Sequence, residues 1–122
     1  VDCIISLAGP TKLDGKDEFE IRKKLISILS KRQFNDNILK DASPINHLSK
    51  SSPSILLIHG TQDHFVPYKQ SRIFYDKAKK LGVDCKFITI EDGGHILEIS
   101  YLPRLHEFKG KIINFMQKHL EN

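Results

Sequence analysis

Two polar loops in this 122-residue sequence carry side chains that could pass a proton between them. Asp63 follows the apolar run 54–59, and His95 follows the apolar run 84–90. If these runs are adjacent parallel strands, about 4.8 Å apart, their carboxyl-terminal loops bring a carboxylate to an imidazole. Such a pair supplies two parts of a nucleophilic relay. Asp63 fixes the imidazole tautomer, while His95 takes a proton from a hydroxyl group and returns it to the leaving group.

The elements that must position these loops are predicted from apolar runs and their periodicity. Short apolar runs bounded by turn residues predict three strands, at 2–7, 54–59 and 84–90. Helical apolar spacing predicts helices at 17–30 and 67–81, one from about residue 104 onward, and a shorter one at 33–41. The order β–α–(α)–β–α–β–α predicts an α/β fold, in which a parallel sheet is covered by helices on both faces in three layers. Ligands bind at the carboxyl ends of the strands in such sheets, where both loops lie.

The three longer helices are predicted to bury apolar stripes against this sheet. The residues expected to face inward are Phe19, Leu25, Ile26 and Leu29; Ile73, Phe74, Ala78 and Leu81; and Leu105, Phe108, Ile112, Phe115, Met116 and Leu120.

The segment ILLIHGTQDHFVPYKQSRIFYDKAKKLGVDCKFITIEDGGH, residues 55–95, resembles the C-terminal signature of the α/β-hydrolase superfamily. It is most similar to the esterase/lipase and prolyl-oligopeptidase-like branch. That branch has an apolar strand, then H-G-x-x-D-x-x-V-P, a helix beginning near a Gln-Ser pair, a Gly-Val turn, another strand and a G-x-x-H-like loop. The segments VDCIISLAGPTKL and ASPINHL resemble the flanking family segments, so the resemblance covers nearly all of residues 1–120.

The resemblance implies a serine hydrolase of the carboxylesterase/lipase type, or a serine peptidase, which acts through an acyl-enzyme. Asp63 falls on the triad acid and His95 on the triad base. The resemblance implies no cofactor and no metal, and its substrate would be a small-molecule ester or a peptide.

The nucleophile of that family is missing from the sequence. Its serine lies on a G-x-S-x-G turn, and no such motif occurs here. Ser6 has Ile4 and Ala8 where the motif needs glycines, so it is interpreted as a strand residue. No HGG-type oxyanion loop is present either, because His59-Gly60 belongs to the acid loop, the segment 59–67 that contains Asp63. We therefore expect residues 1–122 to be the C-terminal portion of one α/β-hydrolase domain, inactive alone. Its strand 2–7 would present an exposed edge that favours self-association.

Several residues have simpler interpretations. Asp63 could cap the helix that begins near Pro67, and Asp92 could compete with Asp63 as the acid. The trio His59, Asp63 and His64 suggests a metal site, but no second cluster completes it. His59, at the end of a buried strand, is predicted to be a hydrogen-bonded core histidine, and His64 an exposed loop residue. The remaining three histidines are predicted to lie on the surface: His47, His106 and His119.

Composition excludes several classes of protein. The net charge is +4, but the lysines are scattered over predicted helix faces and no nucleic-acid motif occurs. No apolar run is long enough to span a bilayer. Cys3 and Cys85 are predicted to be reduced thiols in buried strands, separated by an intervening strand and beyond disulfide reach, which favours the cytoplasm.

Two alternative functions stay open. A non-catalytic interaction module derived from a hydrolase would keep both loops without the chemistry. A flavodoxin-like binding domain is less favoured, because Ala8-Gly9-Pro10 is not a phosphate loop.

Overall fold

The computed structural model describes residues 1–15, 19–28, 35–95 and 102–120. It contains strands β1 (Cys3–Leu7), β2 (Ser54–Gly60) and β3 (Cys85–Ile90) and helices α1 (Phe19–Ile28), α2 (Asp36–Asp41), α3 (Lys69–Lys80) and α4 (Leu102–Leu120). This is the predicted order of elements, with a 3-10 helix at Pro44–His47 added in the connection before β2. The predicted helix residues 17–18, 29–30 and 33–34 lie outside the described residues.

The three strands form a parallel sheet in the order β1-β2-β3. Leu7 lies opposite Ile58 and Gly60 lies opposite Ile90, so the carboxyl ends of all three strands meet at one edge. Cys3 in β1 and Cys85 in β3 are therefore separated by β2, as predicted, and both are free thiols. Cys85 is buried, whereas Cys3 is only half-buried.

Helices cover both faces of β2, which confirms the three-layer α/β prediction. Side chains alternate across a strand, so Ile55 and Leu57 face α3 while Leu56 and Ile58 face α4. All four are about 1% exposed. Each fully buried side chain of this size stabilises the fold by roughly 1.5–3 kcal/mol. The opposing helix residues are Phe74 and Ala78 of α3 and Phe108 and Phe115 of α4.

The prediction that β1 is a buried strand is only partly correct. Ile4 is 41% exposed and Leu7 is 39% exposed. The physical reason is position: among the described residues, β1 pairs with β2 along one edge and with no strand along the other.

The inward face of α4 also differs from the predicted stripe. Phe108 and Phe115 are buried and Ile112 is half-buried, but Met116 is 39% exposed and Leu120 is 51% exposed. His119, predicted to be a surface residue, packs its ring 4.6 Å from the ring of Phe115 and is half-buried. The stripe therefore follows positions 108, 112, 115 and 119, one helical face at a spacing of 3.6 residues. The side chains of Phe19, Ile26, Leu29, Leu105 and His106 lie outside the described set. Neither α4 nor any other helix in the described ranges has the length and apolarity needed to cross a bilayer.

A third, smaller cluster of buried apolar residues covers the carboxyl edge of the sheet. Leu13, Ile21 of α1, Leu39 of α2 and Val66 are all buried together, with Leu25 packed against them. Gln70, which is fully buried, ties this layer to α3. Its Oε1 accepts hydrogen bonds from the backbone N–H groups of Thr11 (2.8 Å) and Lys12 (2.7 Å), and its Nε2 donates to the carbonyl of Lys12 (3.1 Å). Because these bonds satisfy buried backbone groups, they fix the path of the chain after β1.

Candidate active site

The loops after β2 and β3 touch each other along their backbones. The N–H of Thr61 donates to the carbonyl of Ile90 (3.0 Å), and the N–H of Gln62 donates to the carbonyl of Gly93 (2.9 Å). Gly60 makes this approach possible, since a Cβ atom there would lie 2.1 Å from the carbonyl oxygen of Gly93. The two loops therefore lie at a fixed separation that a side chain at position 60 would disrupt.

Asp63 is the acceptor at the centre of this junction, with its side chain fully buried. Its Oδ1 accepts hydrogen bonds from the backbone N–H groups of Phe65 (2.9 Å) and Val66 (2.8 Å). Its Oδ2 lies 2.7 Å from Nδ1 of His95 and 3.1 Å from Nε2 of His59. Burial raises the pKa of the Asp63 carboxyl group, but hydrogen bonds from His95, Val66 and Phe65 outweigh burial and hold the pKa below its usual value. Asp63 is therefore ionised at neutral pH.

The contact with Asp63 sets the chemical state of His95. An ionised carboxylate can only accept, so Nδ1 of His95 carries a proton and donates it to Oδ2. In the neutral ring, Nε2 then keeps its lone pair and can act as a base. The His95 side chain is 32% exposed, and the ring of Phe65 packs against it at a centroid distance of 5.1 Å. The arrangement can take a proton from a hydroxyl group and stabilise the resulting imidazolium ion.

A largely apolar pocket with a volume of about 250 Å³ opens beside His95, above the carboxyl end of β1. Its walls come from Leu7–Pro10, from α1 and from the acid loop, and they include Ile21, Leu25, Ile28, Phe65 and Val66. Lys24 lies at this pocket with its Nζ 4.3 Å from the centre of the Phe65 ring, a cation–π distance. The pocket has room for an apolar group next to His95.

The contacts of these residues bear on their simpler interpretations. The backbone groups bonded by Asp63 precede α3, so Asp63 does not cap that helix. The residue that bonds His95 is Asp63, whereas exposed Asp92 uses its backbone N–H to bond the hydroxyl of Thr61 (2.9 Å). His59 is a buried, hydrogen-bonded core histidine and His64 is exposed, as predicted. Across the described ranges, no three His, Cys, Asp or Glu side chains are grouped as a metal ion would require.

Sequence reasoning missed three residues of the site. Phe65, which packs on His95, is 50% exposed in a loop, where no periodicity singles it out. Ser71 lies fully buried at the start of α3 and contacts His59 across the site (Oγ to Nδ1, 2.7 Å). Lys24 is one of the lysines on predicted helix faces, where the sequence indicates only surface charge. The sequence signal for Ser71 is the Gln-Ser pair of the family pattern, and its physical role follows only from the hydrogen bond to His59.

The sequence of this chain matches a protein-family model, BD-FAE, over residues 1–81, about two thirds of its length. The chain belongs to the BD-FAE family. Its fold is of the α/β-hydrolase type, as the resemblance implied. The matched residues include the whole acid loop and α3, whereas His95 lies beyond the match.

Solved structures share this fold. A truncated form of a carbohydrate esterase from gut microbiota superposes with a TM-score of 0.79 and 23% identity, covering 100% of this chain and 44% of that one. The acetyl ester-xyloside bifunctional hydrolase from Caldicellulosiruptor lactoaceticus gives a TM-score of 0.80 and 23% identity, over 96% of this chain and 42% of that one. Among curated proteins, Esterase LipC of Mycobacterium tuberculosis is 29% identical over 59 residues, 48% of this chain and 15% of the relative. The chain thus spans less than half the length of each.

Proposed function

We propose that this chain is the acid–base part of a serine esterase, in which Asp63 orients His95 and His95 acts as general base and then general acid. The observation that carries the proposal is the 2.7 Å contact between Nδ1 of His95 and the fully buried Oδ2 of Asp63. It joins two residues 32 positions apart, on loops after neighbouring parallel strands. A carboxylate and an imidazole in this order are the two partners that activate a serine hydroxyl in acyl transfer.

The reaction proceeds through four proton transfers at Nε2 of His95, two in each half. In the first half, the serine oxygen attacks the ester carbonyl while Nε2 takes the serine proton. His95 then gives that proton to the departing alcohol oxygen, leaving an acyl-enzyme. In the second half, water replaces the serine as the proton donor and nucleophile, and the released serine oxygen recovers its proton from His95. The buried carboxylate of Asp63 stabilises the imidazolium ion in both halves.

The serine and the oxyanion hole are proposed to lie outside residues 1–122, which would form the C-terminal portion of the domain. Two observations support this. The sequence contains no G-x-S-x-G motif, and the chain spans 44% and 42% of the two solved esterases that it matches. The 122-residue segment alone is then expected to show no ester hydrolysis. If the purified segment hydrolyses an ester and His95→Ala abolishes that activity, this part of the proposal is wrong.

The substrate is proposed to be a small-molecule ester with a compact apolar group. The pocket beside His95 is lined mainly by apolar side chains, and its volume of about 250 Å³ suits a short acyl or alkyl group. The matched solved proteins are named as a carbohydrate esterase and an acetyl ester-xyloside bifunctional hydrolase, and the second name supports an ester of a small acid. We expect the rate to fall from p-nitrophenyl acetate or butyrate to the dodecanoate ester. A matched p-nitroanilide would detect peptidase activity.

The test uses the intact protein that contains this chain, with a p-nitrophenyl ester and a fluorophosphonate probe. His95→Ala and Asp63→Asn are each expected to lower kcat on the order of 10³- to 10⁴-fold, with correct folding retained. His64→Ala, at an exposed position next to Asp63, is the matched control and should leave kcat unchanged. Mass spectrometry should locate the probe on a serine outside residues 1–122. An intact protein that neither hydrolyses esters nor reacts with the probe would favour the non-catalytic module instead.

Two further expectations accompany the proposal. The edge of β1 favours self-association when the segment is produced alone, which sedimentation velocity would detect as species larger than 14.0 kDa. The free thiols of Cys3 and Cys85 favour a cytoplasmic location.

A further inference from the structure

His59 is a buried imidazole that the proton-transfer chemistry does not use. It lies at the carboxyl end of β2 and is 1% exposed. Its Nε2 is 2.8 Å from the carbonyl oxygen of Val66 and 3.1 Å from Oδ2 of Asp63, and its Nδ1 is 2.7 Å from Oγ of Ser71. Both ring nitrogens therefore have polar partners in the interior.

The partners fix how the ring is protonated. A carbonyl oxygen and a carboxylate oxygen can only accept, so Nε2 of His59 carries a proton and shares it between Val66 and Asp63. The hydroxyl of Ser71 can donate to Nδ1 of the neutral ring. The ring is thus hydrogen-bonded to Ser71 of α3 through Nδ1 and donates from Nε2 to the acid loop.

These bonds complete the shell of donors around Asp63. Its Oδ1 accepts hydrogen bonds from the N–H groups of Phe65 and Val66, and its Oδ2 accepts one hydrogen bond from each of two histidines, His59 and His95. His59 also fixes the carbonyl of Val66, the residue whose N–H bonds Oδ1. Rotation of the carboxylate away from His95 would break several of these bonds together.

We propose that His59 is a positioning residue that, anchored by Ser71, holds the carboxylate of Asp63 in line with Nδ1 of His95. This inference rests on the proposed function for its kinetic consequence, but its structural consequence can be measured without catalysis. It assigns a role to the histidine of the H-G-x-x-D segment through contact with the proposed acid and not with substrate.

A pair of substitutions in the intact protein separates positioning from simple core packing. The side-chain amide nitrogen of His59→Gln can occupy the place of Nε2, which keeps the donor toward Asp63 and Val66. His59→Asn reaches only the place of Nδ1 and loses that donor. We expect kcat to fall about 10- to 100-fold in His59→Asn with KM changed less than about twofold, and His59→Gln to restore kcat to within about threefold of wild type. Equal losses in both variants would overturn the proposal, because a packing role does not distinguish the two amides in this way.

The readout that needs no activity is ¹H–¹⁵N NMR of the histidine rings. Wild type and His59→Gln should show a downfield Nδ1–H proton on His95, whereas in His59→Asn this resonance should broaden or disappear. If wild type lacks esterase activity and the resonances behave as expected, the proposed function fails and the positioning role holds. An unchanged His95 resonance in His59→Asn would refute the positioning role even if the esterase is active.

If His59→Asn does not fold, Ser71→Ala is the variant that tests the proposal. Removing the hydroxyl leaves Nδ1 of the buried His59 ring without this hydrogen-bond partner, while Val66 and Asp63 still require a proton on Nε2. The ring should then be held less firmly, so the Nε2–H resonance of His59 and the Nδ1–H resonance of His95 should both broaden. A sharp, unshifted His95 resonance together with unchanged kcat would contradict the proposed anchoring.

Discussion

Substitution of Gly60 by alanine should separate the two loops that hold Asp63 and His95. The added Cβ would lie 2.1 Å from the carbonyl oxygen, and 2.5 Å from the carbonyl carbon, of Gly93, and 2.7 Å from the carbonyl oxygen of Gly94. All of these are backbone atoms, so no side-chain rotation can relieve the overlap. Ordinary contact begins at 3.4 Å, and the two backbones must therefore move apart by roughly 1.3 Å.

The magnitude follows from the bonds that cross this junction. A comparable movement would stretch the 2.7 Å contact between Asp63 and His95 to about 4 Å, beyond hydrogen-bond range. Misplacing a catalytic group by about 1 Å can lower a rate about 100-fold, and we expect a fall of that order in kcat. The bond from Gln62 to Gly93 would also be lost, and the overlap itself should lower the free energy of unfolding by about 1–3 kcal/mol.

The assay measures kcat for p-nitrophenyl acetate and the urea midpoint of the intact protein, wild type against Gly60→Ala. Gly110→Ala is the matched control, because an added Cβ in this exposed part of α4 meets no atom within 4 Å. Alanine should stabilise α4 by up to about 1 kcal/mol there and leave kcat unchanged. A folded Gly60→Ala protein with kcat within threefold of wild type would refute the claim that close approach of these backbones sets the Asp63–His95 geometry.

Three further substitutions and conditions test other parts of the structure. Gln70→Ala leaves the N–H groups of Thr11 and Lys12 and the carbonyl of Lys12 without this partner, so the free energy of unfolding measured in urea should fall by at least about 3 kcal/mol. The control Arg72→Ala removes an exposed ion pair on the same helix and should lower it by less than about 1 kcal/mol. Similar losses in both variants would contradict a stabilising role of the Gln70 hydrogen bonds. Because the pKa of Asp63 in the folded protein lies below 3.8, its ionised form stabilises the fold above about pH 4, and this contribution is lost as the pH falls through the lowered pKa. The difference in the free energy of unfolding between wild type and Asp63→Asn should therefore decrease between pH 5 and pH 3. A difference that stays constant over this range would contradict the lowered pKa. Burial raises the pKa of the Cys85 thiol to about 11, so Ellman's reagent at pH 8 should modify Cys85 only after denaturation. If Cys85 reacts as fast in the native protein as in the denatured protein, its burial is contradicted.

Local patterns predicted the elements but not their exposure. The run from Ile55 to Ile58 predicted a strand covered on both faces, and this holds because each residue of a central strand has a helix against it. The similar run in β1 gave the same prediction, yet Ile4 is exposed because exposure depends on neighbouring strands, which a short run does not encode. In α4, both Met116 and His119 fit an apolar face approximately, and only the packing of the helix on the sheet selects His119.

The candidate site divides in a similar way. Asp63 and His95 could be predicted because each follows a recognisable strand, and parallel strands bring their carboxyl ends together. The partners of His59 and of Gln70 could not be predicted, because these hydrogen bonds join His59 to Ser71 and Gln70 to Thr11, 12 and 59 positions apart, and leave no periodic signal in the sequence. Phe65 looks like any apolar loop residue until the position of the His95 ring is known.

Under the proposed function, the position of the pocket predicts the direction from which the serine approaches His95. Nδ1 of His95 is hydrogen-bonded to Asp63, and His95 lines the same pocket as residues 7–10, at the carboxyl end of β1. A serine carried by a strand that pairs with the outer edge of β1 would reach this pocket from the same edge of the sheet as both loops. The intact protein should therefore contain a strand along that edge.

Amide hydrogen exchange can detect this pairing residue by residue. The N–H of Ala8 donates to Ile58 in β2, so by alternation along a parallel strand the N–H groups of Ile4 and Ser6 face β2 while those of Ile5 and Leu7 face outward. We expect the amides of Ile5 and Leu7 to be protected in the intact protein and to exchange much faster in the isolated segment. Ile4 and Ser6 serve as internal controls, since β2 protects their amides in both samples as long as the sheet is formed. If Ile5 and Leu7 exchange as fast in the intact protein as in the segment, no strand pairs with β1 there, and a serine would have to reach His95 from another element.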